Sequence, residues 1–337
     1  MNDVELMNAP QTKKGVTGLT IKVIAIVTMF MDHFAAVLVS GYVNYLNDKA
    51  PDLGNGQGLL PNHPEILVGR LAAFFMRGIG RFGFPLFIFL LIEGFTHTRS
   101  KAKYARNLAI FALISEIPFN LAVSNKLINL TYQNVFFTLL LGLLCIWMID
   151  KFAYNREWPV KLAPLNYLAS FVLGGVLGYL FTLTTICGLL QKLVDIWGIC
   201  YSFAGAVITL IVHLIVSHKW DAERKTRYVA TALITAVFAL AAALLMTDYG
   251  GAGIVTIVVM YLFRAKKKKA FALGCVVLAI DSFFEAMAFL MLIPVAKYNG
   301  ERGKPINKYL FYAFYPAHLG LLYLTGYLLG FLPFAIQ

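Results

Sequence analysis

The chain has 337 residues, of which 59% are hydrophobic and 14% charged, against about 45–50% and about 25% in ordinary globular proteins. This composition excludes a soluble domain and a disordered chain, and four cysteines with no CxxC pair exclude a disulfide scaffold. The balance of 29 Lys+Arg against 17 Asp+Glu, a net +12, would suggest nucleic acid in a soluble protein. Here the cations fall in short gaps between apolar runs, as in cytoplasmic loops, so the expected partner is the lipid bilayer and not nucleic acid.

About ten runs approach the ~20 residues needed to cross the hydrocarbon. In chain order they are 19–41, 79–95, 104–123, 134–152, 165–184, 199–216, 230–246, 253–263, 270–293 and 309–331. The eighth is short enough to be a re-entrant segment. The predicted fold is an all-α polytopic transmembrane helical bundle. It forms a single membrane domain over 1–337, with 1–18 as a cytoplasmic tail and 19–337 as the bundle. Lys13, Lys14 and Lys22 before the first run resemble a signal peptide. That run is too long, is interrupted by Asp32 and His33, and has no cleavage pattern after it, so it reads as a retained span. The gaps at Arg99–Arg106, Lys151–Arg156, Lys219–Arg227 and Arg264–Lys269 are basic, whereas the gap holding Asp48, Asp52 and Glu65 is not. Alternation then predicts both termini in the cytoplasm. The gap with Lys297, Arg302, Lys304 and Lys308 disobeys, because on this count its charge lies outside.

A charge at the bilayer centre costs about 2.5–3.5 kcal/mol on insertion scales, so ionisable residues inside spans are functional candidates. They are Lys22, Asp32 and His33 in the first span, Arg81 and Glu93 in the second and Glu116 in the third. Asp281 and Glu285 lie in the ninth and His318 in the tenth. Counting from span ends puts His33, Glu116, Asp281 and His318 at a common depth of ~15–20 Å. Asp281 and Glu285, four apart, are expected on one helix face. Any one of these could be interhelical glue, but six or seven at one depth, two of them His, favour a site. His213 and His218 near a span end and His63 in a loop read as structural, and Cys145, Cys187, Cys200 and Cys275 as apolar fillers. No HExxH or other zinc spacing occurs, so no metal is expected, and no phosphate-binding loop of the GxxxxGK[ST] type is present.

Several segments resemble one known family. They are Met31-Asp32-His33, Gly80-Arg81-Phe82-Gly83-Phe84-Pro85-Leu86-Phe87, Glu93-Gly94-Phe95-Thr96-His97-Thr98-Arg99, Ser115-Glu116-Ile117-Pro118-Phe119, Gln133-Asn134-Val135-Phe136-Phe137-Thr138-Leu139, Asp248-Tyr249-Gly250, Tyr298-Asn299-Gly300-Glu301-Arg302-Gly303 and Phe311-Tyr312-Ala313-Phe314-Tyr315-Pro316-Ala317-His318-Leu319. In order and density these are similar to the TraX family, over Gly18 to about Leu140 and Asp248 to about Tyr323; the stretch 150–246 carries no assignable motif. The resemblance implies a bacterial cytoplasmic-membrane acetyltransferase that uses acetyl-CoA, the named member acetylating the N-terminus of pilin. It extends to a wider group of membrane acyltransferases acting on surface sugars, including heparan acetyltransferases. In some of these a basic residue precedes a span-one His by eleven positions, as Lys22 precedes His33.

Acetyl transfer from a thioester needs a base, an oxyanion donor and cations for the cofactor phosphates. His33 is the expected base, since imidazole exchanges a proton near neutrality. Its ring would be oriented by Asp32 or by a facing carboxylate, Glu116 or Asp281. Neighbours on a helix point about 100° apart, so Asp32 is equally able to face another helix. His318 is the second choice for base, or the oxyanion donor. The acceptor, an envelope protein, peptide or glycan, is expected to meet Arg81, Glu93, Glu116, Asn134, Asp281, Glu285, Tyr298, Asn299, Glu301, Arg302 and Tyr315. Lys22, Arg99, Lys101 and Lys103 are the candidates for the CoA phosphates. Two rival classes are a secondary transporter or flippase with an intramembrane proton relay, and a non-catalytic assembly factor.

Overall fold

A computed structural model of the chain describes residues 14–49, 63–154, 160–186, 194–304 and 307–333. Lys13, Asp52, Arg156 and Cys187 lie outside the described residues. Among these residues the chain is helical, with no β-strand and only the isolated bridges Val16–Tyr298 and Gln133–Thr247. Among the described residues five helices are long and apolar enough to cross a membrane, Gly18–Lys49, Pro64–His97, Lys101–Ser124, Val135–Tyr154 and Ala222–Leu244. They do not by themselves confirm the expected count of about ten spans.

The first rod is α1 (Gly18–Phe34), a π-helical turn at Ala35–Val39, and α2 (Ser40–Lys49). Thr17 starts it, its hydroxyl accepting from the Thr20 amide at 3.3 Å. The second rod is α3 (Pro64–Gly80), a turn at Arg81–Phe82, and α4 (Gly83–His97). Its first half was not expected as a span, because Glu65, Arg70 and Arg77 interrupt the hydropathy of an amphipathic stretch. Pro64 starts that half at the first helical position, where its missing N–H costs nothing. Next come α5 (Lys101–Ser124), α6 (Val135–Ile149, continued by a π turn), α7 (Asn166–Ile186), α8 (Val194–Ser217), α9 (Ala222–Leu244) and α10 (Gly250–Leu262). In lipid, helices gain little from apolar burial and associate through close packing. Gly142 meets Ile257, and Gly174 meets Gly205, so closely that a Cβ at either glycine would overlap its neighbour.

The expected ninth span does not form one helix. α11 (Lys267–Asp281) ends at Ser282, whose backbone is extended (φ −145°, ψ 121°). A 3₁₀ segment, Phe283–Met291, and the short α12 (Leu292–Ala296) follow. The flanks of this hairpin meet, because Lys267 Nζ and the Tyr298 hydroxyl both lie 3.0 Å from Glu93 Oε2. The chain thus climbs along α11 and returns along the 3₁₀ segment to the end where it started. After it, the backbone at 297–302 joins the start of α1, with Val16 N donating to Lys297 O (2.8 Å), Gly18 N to Glu301 O (2.8 Å) and Leu19 N to Arg302 O (2.9 Å). This places Lys297, Arg302 and Lys304 at the same end as the Arg264–Lys269 run, which removes the charge anomaly.

The last helix, α13 (Lys308–Leu328), leaves this basic end for the opposite one, where Phe331 packs on Tyr42 (centroids 5.8 Å apart) near the end of the first rod. Residues 14 and 333 therefore sit at opposite ends of the bundle. The expectation of both termini on one side counted 270–293 as a crossing, and the turn at Ser282 removes that crossing.

The hairpin makes a direct topological prediction. Cysteines introduced at Lys268 and at Lys304 should be labelled by an impermeant maleimide from the same side of the membrane. Labelling from opposite sides would mean that 270–293 crosses.

Candidate functional site

His33 stands at the last turn of α1, two residues before the π turn that widens the rod, a feature frequent at functional positions. Its Nδ1 lies 2.7 Å from His318 Nε2 on α13, and the two rings stack at 4.9 Å with an 18° tilt. His318 Nδ1 lies 2.7 Å from the Phe314 carbonyl. A carbonyl only accepts, so His318 carries its proton on Nδ1 and presents a bare Nε2. His33 must then donate from Nδ1, and the lone pair of its Nε2 is free. Among the described residues no hydrogen bond is made to that nitrogen. Tyr315 closes one side, edge-on to His33 at 5.6 Å and to Phe136 at 5.1 Å.

Asp32 does not orient His33. It faces the second rod, where Arg81 Nη2 reaches its Oδ1 at 2.7 Å and Arg77 Nη1 its Oδ2 at 3.3 Å. Arg81 also reaches Glu285 Oε1 through Nη1 at 2.9 Å, leaving Glu285 Oε2 buried with no partner. Gly80 makes this approach possible, since a Cβ there would overlap the Asp32 side chain. Beside the network the Asp248-Tyr249 turn is held on three sides. The Tyr132 hydroxyl donates to Asp248 Oδ1 (2.8 Å), Thr138 donates to the Asp248 carbonyl, and Tyr249, in the left-handed region at φ 62°, stacks on Phe84 at 3.6 Å. A non-glycine residue at positive φ is a backbone cost that persists only where its surroundings impose it.

The other expected residues divide. Glu116 does not reach His33; its Oε2 accepts from Asn134 Nδ2 at 2.5 Å, while Asn134 Oδ1 accepts the Phe136 amide at 3.1 Å and so caps α6. Asp281 has no hydrogen bond or ion pair among the described residues, and it does not share a helix face with Glu285, because the helix ends between them. The orienting role expected of Glu116 or Asp281 falls to His318. With its one N–H committed to Phe314, His318 has no donor left for an oxyanion.

Glu93 and the 298–302 loop belong to a second cluster, twelve residues along the rod from Arg81 and so ~18 Å away. There Tyr298 and Lys267 hold Glu93. Burial, and then the Glu93 carboxylate, push the Tyr298 phenol above its ordinary value, so it stays a donor. Asn299 Oδ1 accepts the Glu301 amide at 2.9 Å, shaping the turn. Of the expected phosphate ligands, Lys101 is bonded to Asp150 at 2.5 Å, Lys22 lies over the Phe311 ring at 4.5 Å, and Arg99 and Lys103 are exposed. Arg77, Tyr132 and Lys267 were not anticipated from the sequence. For Arg77 the available signal was its spacing of four from Arg81. His213 is buried and bonded to Asn166 at 2.8 Å, a structural role, and Cys145 and Cys275 are buried in the core.

Gly80→Ala should displace Asp32 from Arg81 and destabilise the protein by about 1–3 kcal/mol, the cost of overpacking. Thermal unfolding in detergent measures this, and an unshifted midpoint would show that Asp32 relocates freely.

A protein of Dichelobacter nodosus described as "Probable fimbrial assembly protein FimC, serogroup H1" is 25% identical over 320 residues, covering 90% of this chain and 92% of the relative. No solved structure matches the chain. The family model described as "TraX protein" matches residues 17–183 and 202–325, including much of the 150–246 stretch that carries no motif visible by inspection. The matched segments contain both histidines, the Arg81 network and the Glu93 cluster, and the protein belongs to the TraX family.

Proposed function

We propose that the protein is a membrane-embedded acetyltransferase that moves an acetyl group from acetyl-CoA to an amine or hydroxyl of an envelope acceptor, a pilin or peptide N-terminus or a surface glycan. The observation that carries this reading is the His33–His318 pair, whose hydrogen bonding leaves His33 Nε2 as a free base at mid-depth. The acceptor nitrogen or oxygen attacks the thioester carbonyl carbon while His33 Nε2 takes its proton. The imidazolium so formed keeps its Nδ1–H on His318 Nε2, which stabilises the charge. As the tetrahedral intermediate collapses, the carbon–sulfur bond breaks and His33 returns the proton to the leaving thiolate. No cysteine is needed, which favours direct transfer in a ternary complex over an acetyl-enzyme.

The donor belongs at the basic end, which the charge rule assigns to the cytoplasm of a bacterial inner membrane. Lys22, Arg99, Lys103 and Arg302 are the cations there that suit its phosphates. The acceptor then approaches from the other end, past α2 and the first half of α3. A proton-relay transporter is less well supported, because Asp32 and one oxygen of Glu285 are committed to arginine. The fimbrial assembly name of the relative is compatible with an enzyme that modifies a fimbrial subunit and with an assembly factor.

Purified protein in nanodiscs should release CoA thiol from acetyl-CoA in the presence of an envelope extract. His33→Ala should lower that rate by about 10²–10⁴-fold, the usual contribution of a general base, with the unfolding midpoint retained. Wild-type turnover in His33→Ala would remove it from the mechanism, and no thiol release by the unmodified protein would leave the assembly role.

A further inference from the structure

Arg70, Arg77 and Arg81 occur at spacings of seven and four along the second rod and all point into its seam with the first. Arg70 Nη2 reaches Asn47 Oδ1 at 3.4 Å, and Arg77 and Arg81 both reach Asp32. The three guanidiniums thus descend ~16 Å along one face, from the end opposite the basic loops to the residue beside His33. Arg81 is used up, with each Nη in an ion pair and its side chain 16% exposed. Arg77 differs. Its only side-chain hydrogen bond among the described residues is the 3.3 Å contact to a carboxylate that Arg81 already holds at 2.7 Å, and it is 39% exposed against 13% for Asp32. Asp32 is already held by Arg81 through the shorter contact. A second guanidinium at this depth, with most of its five N–H donors unspent, is costly in a bilayer and calls for a ligand.

The nearby carboxylates do not fill that need. Glu285 is held by Arg81 through Oε1 alone, Asp248 accepts from Tyr132 and Asp281 makes no ion pair, and among the described residues none of the three is bonded to Arg77. Glu93 and Asp150 lie in the other cluster, on Lys267 and Lys101.

We propose that Arg77 binds an anionic group, a carboxylate or phosphate, carried by the acceptor close to the atom that receives the acetyl group. The acceptor is accordingly an anionic amine or alcohol rather than a neutral one, and Arg70 lines its approach. The planar fork of Arg77 takes two oxygens of such a group, while the adjoining nucleophile faces His33 Nε2. The word acceptor rests on the acetyl-transfer reading, whereas the binding of an anion at Arg77 does not.

Two measurements separate the two claims. In the first, acetyl transfer is compared for glucosamine and glucosamine 6-phosphate, and for alaninamide and alanine, so that one member of each pair carries the anion. The unmodified protein should favour an anionic member at least tenfold in kcat/KM. Arg77→Gln should abolish the preference, and Arg77→Lys, which keeps charge but loses the fork, should retain only part of it. Equal use of both members in both pairs, or a preference that survives in Arg77→Gln, overturns the proposal. In the second, the unfolding midpoint is followed with glucosamine 6-phosphate against glucosamine, and with alanine against alaninamide, without acetyl-CoA. Stabilisation by an anionic member alone, lost in Arg77→Gln and reduced in Arg77→Lys, supports the anion site even if no acetyl is transferred. If no transfer occurs and no Arg77-dependent stabilisation is seen, both the site and the acetyl-transfer reading fall.

Discussion

The fork of Arg81 between Asp32 and Glu285 is the interaction on which the central layer of the bundle depends. It ties the first rod, the second rod and the 3₁₀ limb of the hairpin, parts of the chain 49 and 204 residues apart in sequence. A paired charge in a low-dielectric layer gains little over a well-packed apolar group, but removing one partner leaves a buried charge and costs about 3–5 kcal/mol. The arrangement therefore does less to stabilise the bundle than to specify it. Only a packing that brings these segments together at one depth pairs all three charges. Gly80 contributes by its lack of a side chain, which lets Asp32 approach the second rod.

A second anchor at Glu93 performs the same office at the basic end. One carboxylate oxygen receives a lysine from the start of the hairpin and a tyrosine from its close. The hairpin is thus pinned at its base by Glu93 and near its tip by Arg81, both on the second rod. Its descending limb is a nine-residue 3₁₀ segment, far longer than the short runs in which that helix usually occurs. The larger rise per residue lets a short stretch of chain return from the middle of the bundle to the basic end.

The histidine pair is set apart from these ion pairs by its chemistry. Neutral imidazoles are inexpensive to bury, and the chain from the Phe314 carbonyl through His318 to His33 fixes both tautomers without any charged partner. Proline at position 316 sits within the helix that carries His318, and the π turn begins two residues after His33. Both depart from regular helix geometry where two side chains must meet. Asp32, adjacent to His33 in sequence, serves the neighbouring network instead, because successive helix positions diverge by about 100°.

What the sequence by itself determined was the membrane class and which polar residues stand within apolar stretches. Hydropathy is a property of short windows, so it survives without knowledge of the fold. The quoted motifs, dense and in order, also carried the family. What only the tertiary structure decided was pairing and direction. His33 and His318 are 285 positions apart, and nothing local says that they meet or which nitrogen each presents. A 24-residue apolar run reads as a crossing, yet a single extended residue at Ser282 and one carboxylate at Glu93 turn it back, moving Asp281 away from Glu285 and the 297–304 loop to the other side of the count. Composition measures whether a segment tolerates lipid, whereas its course through the bilayer is set by the partners it finds in the other helices.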